Sequence, residues 1–308
     1  MRFAETAFAA MMLVCFAAPL IAQVNATGTF SGLVSDPAGN AIANARVRLI
    51  DPQTGISTAK ATASDGYYVF PLVKPGIYSI EVSAPGFDVV TRRDIVLQIE
   101  DTVQQDFRLQ ISGTRTEVTV SAAPPLLNTE TTELGNVIGE HTAEQLPLNG
   151  RNFSQLALLV PGTNPGPVGG IRTQGNGNET QRAGAEIIAD GSRGSFNLFL
   201  IDGLDDRDQS VGTLKVFPTL EGIEEFKVQV CNYDAQFASG GAVVNVITRS
   251  GANEFHGSAF EFLRNSDLDA RQFSDASKPQ FQQNQFGGAI GGPIRKNRTF
   301  FLDRKSVV

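Results

Sequence analysis

Three apolar segments in the second half of the chain narrow its possible folds more than any other feature. FNLFLIDG occupies 196 to 203, IEEFKVQV 223 to 230 and GGAVVNVITRSG 240 to 251. The runs at 196 to 201 and 243 to 247 are uninterrupted by charge and read as strands buried on both faces. Asp202 and Gly203 close the first run as a tight turn that needs a glycine.

In this order and spacing the segments resemble the plug domain of TonB-dependent outer-membrane receptors. There a Leu-Ile-Asp-Gly turn precedes an Ile-Glu strand and then a Gly-Gly strand containing Asn and Ile-Thr. Leu200, Ile201, Asp202, Gly203, Glu225, Gly240, Gly241 and Asn245 carry the resemblance. It implies a plug over 126–251, closing the lumen of a barrel.

Composition sets limits. With 308 residues, 41% hydrophobic and 19% charged, the chain has room for two or three ordered domains. A net charge of -7 without a Lys/Arg cluster argues against a nucleic-acid partner, which needs a basic face. The apolar stretch 7–22 is too short to span a bilayer stably and reads as an export signal over 1–22. Met12, Leu13 and Val14 ahead of Cys15 lack the small pair of a lipoprotein signal. Once it is cleaved, Cys231 is the remaining cysteine and has no internal disulfide partner.

Seven short β-like runs follow at close spacing: 29–35, 45–50, 58–63, 67–72, 77–84, 94–99 and 103–109. Turn chemistry separates them at Asp36–Asn40, Asp51–Gly55, Asp65–Gly66, Pro75–Gly76 and Pro85–Gly86. They predict a small β-sandwich in which Tyr78, Ile80 and Val82 face inward. SGLVSDPAGNAIANARVRL and SDGYYVFPLVKPGIYSIEVSAPGF resemble the carboxypeptidase regulatory-like domain, a prealbumin-type sandwich of the carbohydrate-binding-like fold. The resemblance covers 27–110. It implies an accessory module, either a stabilising spacer or a binder of sugar, peptide or protein.

Residues 111–125 form a linker, because two prolines at 124 and 125 bar helix and central strand. Within it Thr116, Glu117, Val118, Thr119 and Val120 resemble the TonB box, which adds as a strand to the energy-transducing protein. Beyond it, Thr142–Leu146 reads as a helical turn. Phe153, Leu156, Leu159 and Val160 recur at helical spacing before Pro161 and Gly162 stop the helix. The Gly- and Asn-rich stretch 162–194 reads as loops facing the substrate side.

Two constellations suggest metal chemistry and are set aside. His141 and Glu144 make the H-x-x-E pair of metallocarboxypeptidases, with His256 downstream, but the intervening residues follow a receptor plug. Asp202, Asp205, Asp206 and Asp208 lack the spacing of a calcium loop. No catalytic residue, metal or other cofactor is expected.

Finally, 252–265 and 284–301 resemble the first three barrel strands of Oar-like receptors, with a long connection at 265–283 and a short turn at 295–298, matching outer and periplasmic sides. Such transporters need about 22 strands, so the resemblance implies an N-terminal fragment in which 252–308 starts a truncated barrel. The expected protein is mainly β: a seven-stranded prealbumin-like sandwich, an α+β plug and the first strands of a transmembrane β-barrel. It would sit in the outer membrane, with TonB and an unidentified extracellular solute as partners. The alternative is a secreted or surface adhesive protein that binds through the sandwich.

Overall fold

The computed structural model describes residues 26–112, 118–121, 134–139, 142–143, 146, 148, 152–165, 187–208, 214–237, 239–268, 270–271, 277–278 and 280–307. The expected export signal lies outside them, as do Thr116, Glu117, His141 and Glu144.

Residues 28–121 build two sheets from β1 (Gly28–Ser35), β2 (Arg46–Ile50), β3 (Ser57–Ala61), β4 (Tyr67–Val73), β5 (Gly76–Ser83), β6 (Val90–Leu97), β7 (Thr102–Gln104), β8 (Phe107–Arg108) and β9 (Val118–Ser121). One sheet runs β4-β1-β7, with β8 also on β1; the other runs β3-β2-β5-β6-β9. Tyr78, Ile80 and Val82 alternate inward as the pattern demands and share one apolar core with Phe30, Phe70 and Phe107. Phe30 meets Tyr78 edge-on at 5.6 Å. Each such fully buried aromatic is worth about 1.5–3 kcal/mol, so the sandwich carries its own stabilising core.

Two strands depart from the sequence pattern. β6 starts at Val90 rather than Asp94 because Asp94, at φ 59°, belongs to a bulge that shifts the register against β5 and masks the alternation. The seventh expected strand is split. β7 and β8 pair with β1 in one continuous parallel register, but between them the Leu33 N–H is satisfied by the Asp106 carboxylate at 2.8 Å instead of by main chain.

The central region contains β10 (Leu134–Gly139), β11 (Thr163–Pro165), β12 (Ile187–Ala189), β13 (Leu198–Ile201), β14 (Leu204–Asp205), β15 (Ile223–Cys231) and β16 (Val243–Thr248). Its mixed sheet is ordered β10-β15-β16-β13-β14, with β13 and β16 parallel. Val243 to Ile247 and Leu198 to Leu200 are buried on both faces, as the unbroken apolar runs require. The expected helix is a 3-10 helix, Phe153–Leu159, capped by the Asn152 side chain. Burial recurs in pairs three residues apart, at 153–154 and 156–157, the period of that tighter helix. Leu159, expected inside, is 55% exposed at its open end, and Ala157 takes part in the core instead. Two ends of the stretch expected as loops pair as β11 and β12.

β17 (His256–Asn265), β18 (Gln282–Arg295) and β19 (Thr299–Val307) form an antiparallel meander. At 10, 14 and 9 residues these strands have the length that crosses a bilayer. β18 and β19 are joined by a turn with Asn297 at φ 59°, while 266–281 separate β17 from β18. No helix among the described residues is long and apolar enough to cross a membrane.

Candidate functional site

The motif residues of the central sheet divide into two groups. In the first, Asp202 and Gly203 at φ 50° and 80° make the two-residue turn that follows Leu200 and Ile201 and returns the chain as β14. Such a turn needs positive φ at both positions. Asp202 also reaches sideways: its carboxylate accepts the Thr248 N–H at 2.9 Å and the Thr248 hydroxyl at 2.6 Å, fastening β13 to the end of β16. Gly241 leaves no space for a side chain, since a Cβ there would lie 2.5 Å from the Asn197 amide oxygen. Asn197 is fully buried, accepts the Ala242 N–H at 2.9 Å and donates to the Ile187 carbonyl at 2.6 Å. Sequence reasoning gave Asn197 no role; its one signal was an amide inside an apolar run.

The second group, Glu225 and Asn245, faces the sandwich. Glu225 accepts the Ile99 N–H at 2.5 Å, and the Asn245 amide donates to Glu100 at 2.6 Å. Lys227, register partner of Asn245, holds the other Glu100 oxygen at 3.3 Å, with both side chains largely buried. Ile99 is buried with Ala26 and Ile247, and Val137 of β10 packs against them. Burial pushes the Glu225 carboxyl up to about 7, against the lowering effect of the Ile99 N–H and Lys227 and with the help of Glu224 and Asp101. Glu224 is pushed up to about 7 by burial too, with Lys74 lowering it and Asp51 and Asp202 raising it. Ile99, Glu100 and Lys227 were missed because the contact joins residues more than a hundred positions apart, and no local pattern in QIEDT announces it.

Val118, Thr119 and Val120 lie in β9, paired in parallel with Val90, Thr91 and Arg92 of β6. The segment thus closes the sandwich sheet as its terminal strand. Among the described residues no strand pairs with its outer edge.

Of the two metal constellations, His141 and Glu144 lie outside the described residues, and the acidic group has other partners. Asp202 serves Thr248, Asp205 accepts the Arg207 N–H at 2.8 Å, and Asp206 accepts the Val216 N–H at 3.1 Å. The His256 ring nitrogen Nδ1 sits 3.1 Å from the Glu254 carbonyl. Among the described residues no group of three or more His, Cys, Asp or Glu could hold a metal ion.

The layout is a sandwich ahead of a mixed sheet and an antiparallel meander of strands long enough to cross a bilayer. Comparison with known proteins finds two domain families and one relative that the chain resembles. Residues 29–110 match the carboxypeptidase regulatory-like domain and 247–303 the outer membrane beta barrel domain. The chain is 26% identical over 258 residues to the TonB-dependent transporter Oar of Myxococcus xanthus, covering 78% of this chain and 23% of that protein. Among solved structures, the siderophore receptor PirA from Acinetobacter baumannii is 26% identical over 53% of this chain and 22% of its own, with a TM-score of 0.38. The dioxygenase domain of a carbohydrate-binding fusion from Streptomyces overlaps 30% of this chain and 84% of its own at 16% identity and a TM-score of 0.22. The protein is a homologue of the TonB-dependent transporter Oar and resides in the outer membrane. The relative that it resembles along most of its length, Oar, is a transporter and not an enzyme.

Proposed function

We propose that this chain is the N-terminal part of a TonB-dependent outer-membrane transporter for an extracellular solute, with residues 126–251 as its plug and 116–120 as its TonB box. The observation that carries the reading is the order of elements in a homologue of Oar: sandwich, terminal edge strand β9, mixed sheet, then membrane-length hairpin strands with one long and one short connection. TonB pairs with its receptors through main-chain hydrogen bonds. β9 supports that role because it is already extended, with its outer edge unoccupied among the described residues. Force on this segment then reaches the plug through the linker that follows it. The sandwich, the coupling segment and the plug accordingly act on the periplasmic side, and the chain performs no catalysis.

Titration of the full chain with the periplasmic domain of TonB tests the assignment. Val118→Pro removes a donor and fixes the backbone, so it should weaken binding about tenfold more than Val118→Ala. Equal affinity of the two variants would exclude 116–120 as the pairing strand.

A further inference from the structure

The sandwich needs a reason to be attached to such a protein, and its contact with the central sheet supplies one. The turn between β6 and β7 leaves the sandwich at Leu97 and returns at Thr102, with Glu100 in the left-handed region at φ 58°. At its tip Ile99 and Glu100 enter the neighbouring sheet. They meet three adjacent strands: Glu225 and Lys227 on β15 and Asn245 on β16 through polar contacts, and Ile247 on β16 through a small apolar cluster of Ala26, Ile99 and Ile247 against which Val137 of β10 packs. Among the described residues β10 is the edge strand of that sheet and the first strand after β9. An edge strand is held by main-chain bonds on one side only and is the easiest to peel away. Here a turn from another domain is laid across it and its two neighbours.

We propose that the sandwich is a clamp on the central sheet, its 98–101 turn holding β10 in place until the clamp is released. The clamp has the composition of a releasable contact. Ile99 supplies a small apolar anchor, and the remainder is charge-assisted hydrogen bonding, strong while buried and readily replaced by water when exposed. In sequence β9 lies between the 98–101 turn and β10. That a pull on β9 bears on the clamp rests on the TonB-box reading; the clamp itself does not.

Amide exchange in the full chain, with and without Glu100→Ala, tests the clamp. Glu100 takes no part in either apolar core, so its removal leaves the packing of both cores in place. Exchange at Ile99, Val137 and Ile138 should rise about tenfold, the loss of roughly one charge-assisted bond. Val244 and Val246 of β16 and Ile80 of β5 should keep their protection. Glu225→Ala, which removes the acceptor of the Ile99 N–H from the other side, should reproduce the pattern. Unchanged exchange at β10 in both variants would overturn the proposal, and so would equal loss at β10 and β16. Failure of the wild-type chain to bind the TonB domain would instead strike the coupling-segment reading and leave the exchange result standing.

Discussion

β16 and β17 are consecutive strands with opposite surroundings. Val243 to Ile247 are all buried, whereas along β17 every residue from His256 to Asn265 retains contact with the exterior. β16 lies between two other strands in a sheet that buries Phe199, Phe226 and Val246 in one core. β17 lies at the edge of a three-stranded meander in which Leu263, Phe286 and Ile290 are exposed on one face, Leu263 at 64%, and Phe262 on the other. In water such exposure is an aggregation hazard, whereas on the lipid-facing side of a membrane strand apolar residues lose nothing by it. The same residue types therefore stabilise the two strands by different means: β16 by leaving water within its own domain, β17 by meeting the membrane.

The sharpest way to break that contrast is to truncate a phenylalanine in each. Phe226 is fully buried on β15 beside β16 and meets Phe153 edge-on at 5.8 Å. Phe226→Ala should cost about 3–5 kcal/mol of central-domain stability, through lost transfer energy and the cavity left behind. Phe262→Ala on β17 should stay within about 0.5 kcal/mol for the detergent-free chain. Chemical denaturation, with amide exchange to separate the domains, measures both. Comparable losses would mean that the meander has a core of its own.

A smaller effect distinguishes the two glycines that lead into β16. A Cβ at Gly241 would press on Asn197, 2.5 Å from its amide oxygen and 3.0 Å from its main-chain nitrogen, while at Gly240 the nearest atom is 3.8 Å away on Phe196. Gly241→Ala should cost about 1–3 kcal/mol by displacing the amide that bridges Ile187 and Ala242. Gly240→Ala should be near neutral. If the two behave alike in the same denaturation series, the double glycine serves chain flexibility and not close packing.

This contrast also explains what could be read in advance. β13 and β16 were legible because burial on both faces leaves a run without charge, β15 from its place in the ordered set of motifs, and the Asp202-Gly203 turn because positive φ selects its residues. The sandwich was legible from its turns, apart from β6, whose bulge at Asp94 broke the period, and β7–β8, where Asp106 replaced a main-chain partner. The 3-10 helix was read as α because Leu159 and Val160 mimic the longer period. The role of Glu225 and Asn245 was hidden: as strand residues they look like motif positions of one domain, and only the arrival of Ile99 and Glu100 from another domain gives them partners. No periodicity encodes a contact between domains.

The smallest expected effect concerns that contact and reverses the usual acid dependence of carboxylates. Glu225 and Glu224 both sit near 7 when the sandwich is docked, against an ordinary value of 4.5, because burial disfavours their charged forms. Between about pH 4.5 and 7 the docked state therefore binds more protons than the separated one. Its stability rises as pH falls through this window and is lowest above 7, where both groups are charged at full desolvation cost. The groups facing them set the size of the effect: Lys227 and the Ile99 N–H oppose protonation of Glu225 while Asp101 favours it, and Lys74 opposes protonation of Glu224 while Asp51 and Asp202 favour it. Glu225→Gln keeps an acceptor for Ile99 but cannot titrate. Ile99 protection, corrected for the intrinsic pH dependence of exchange, should increase from pH 8 to pH 5 in the wild-type chain and do so less steeply in Glu225→Gln. Protection that instead falls toward pH 5 would show that the Glu100–Lys227 ion pair, and not the desolvated Glu225, governs the clamp.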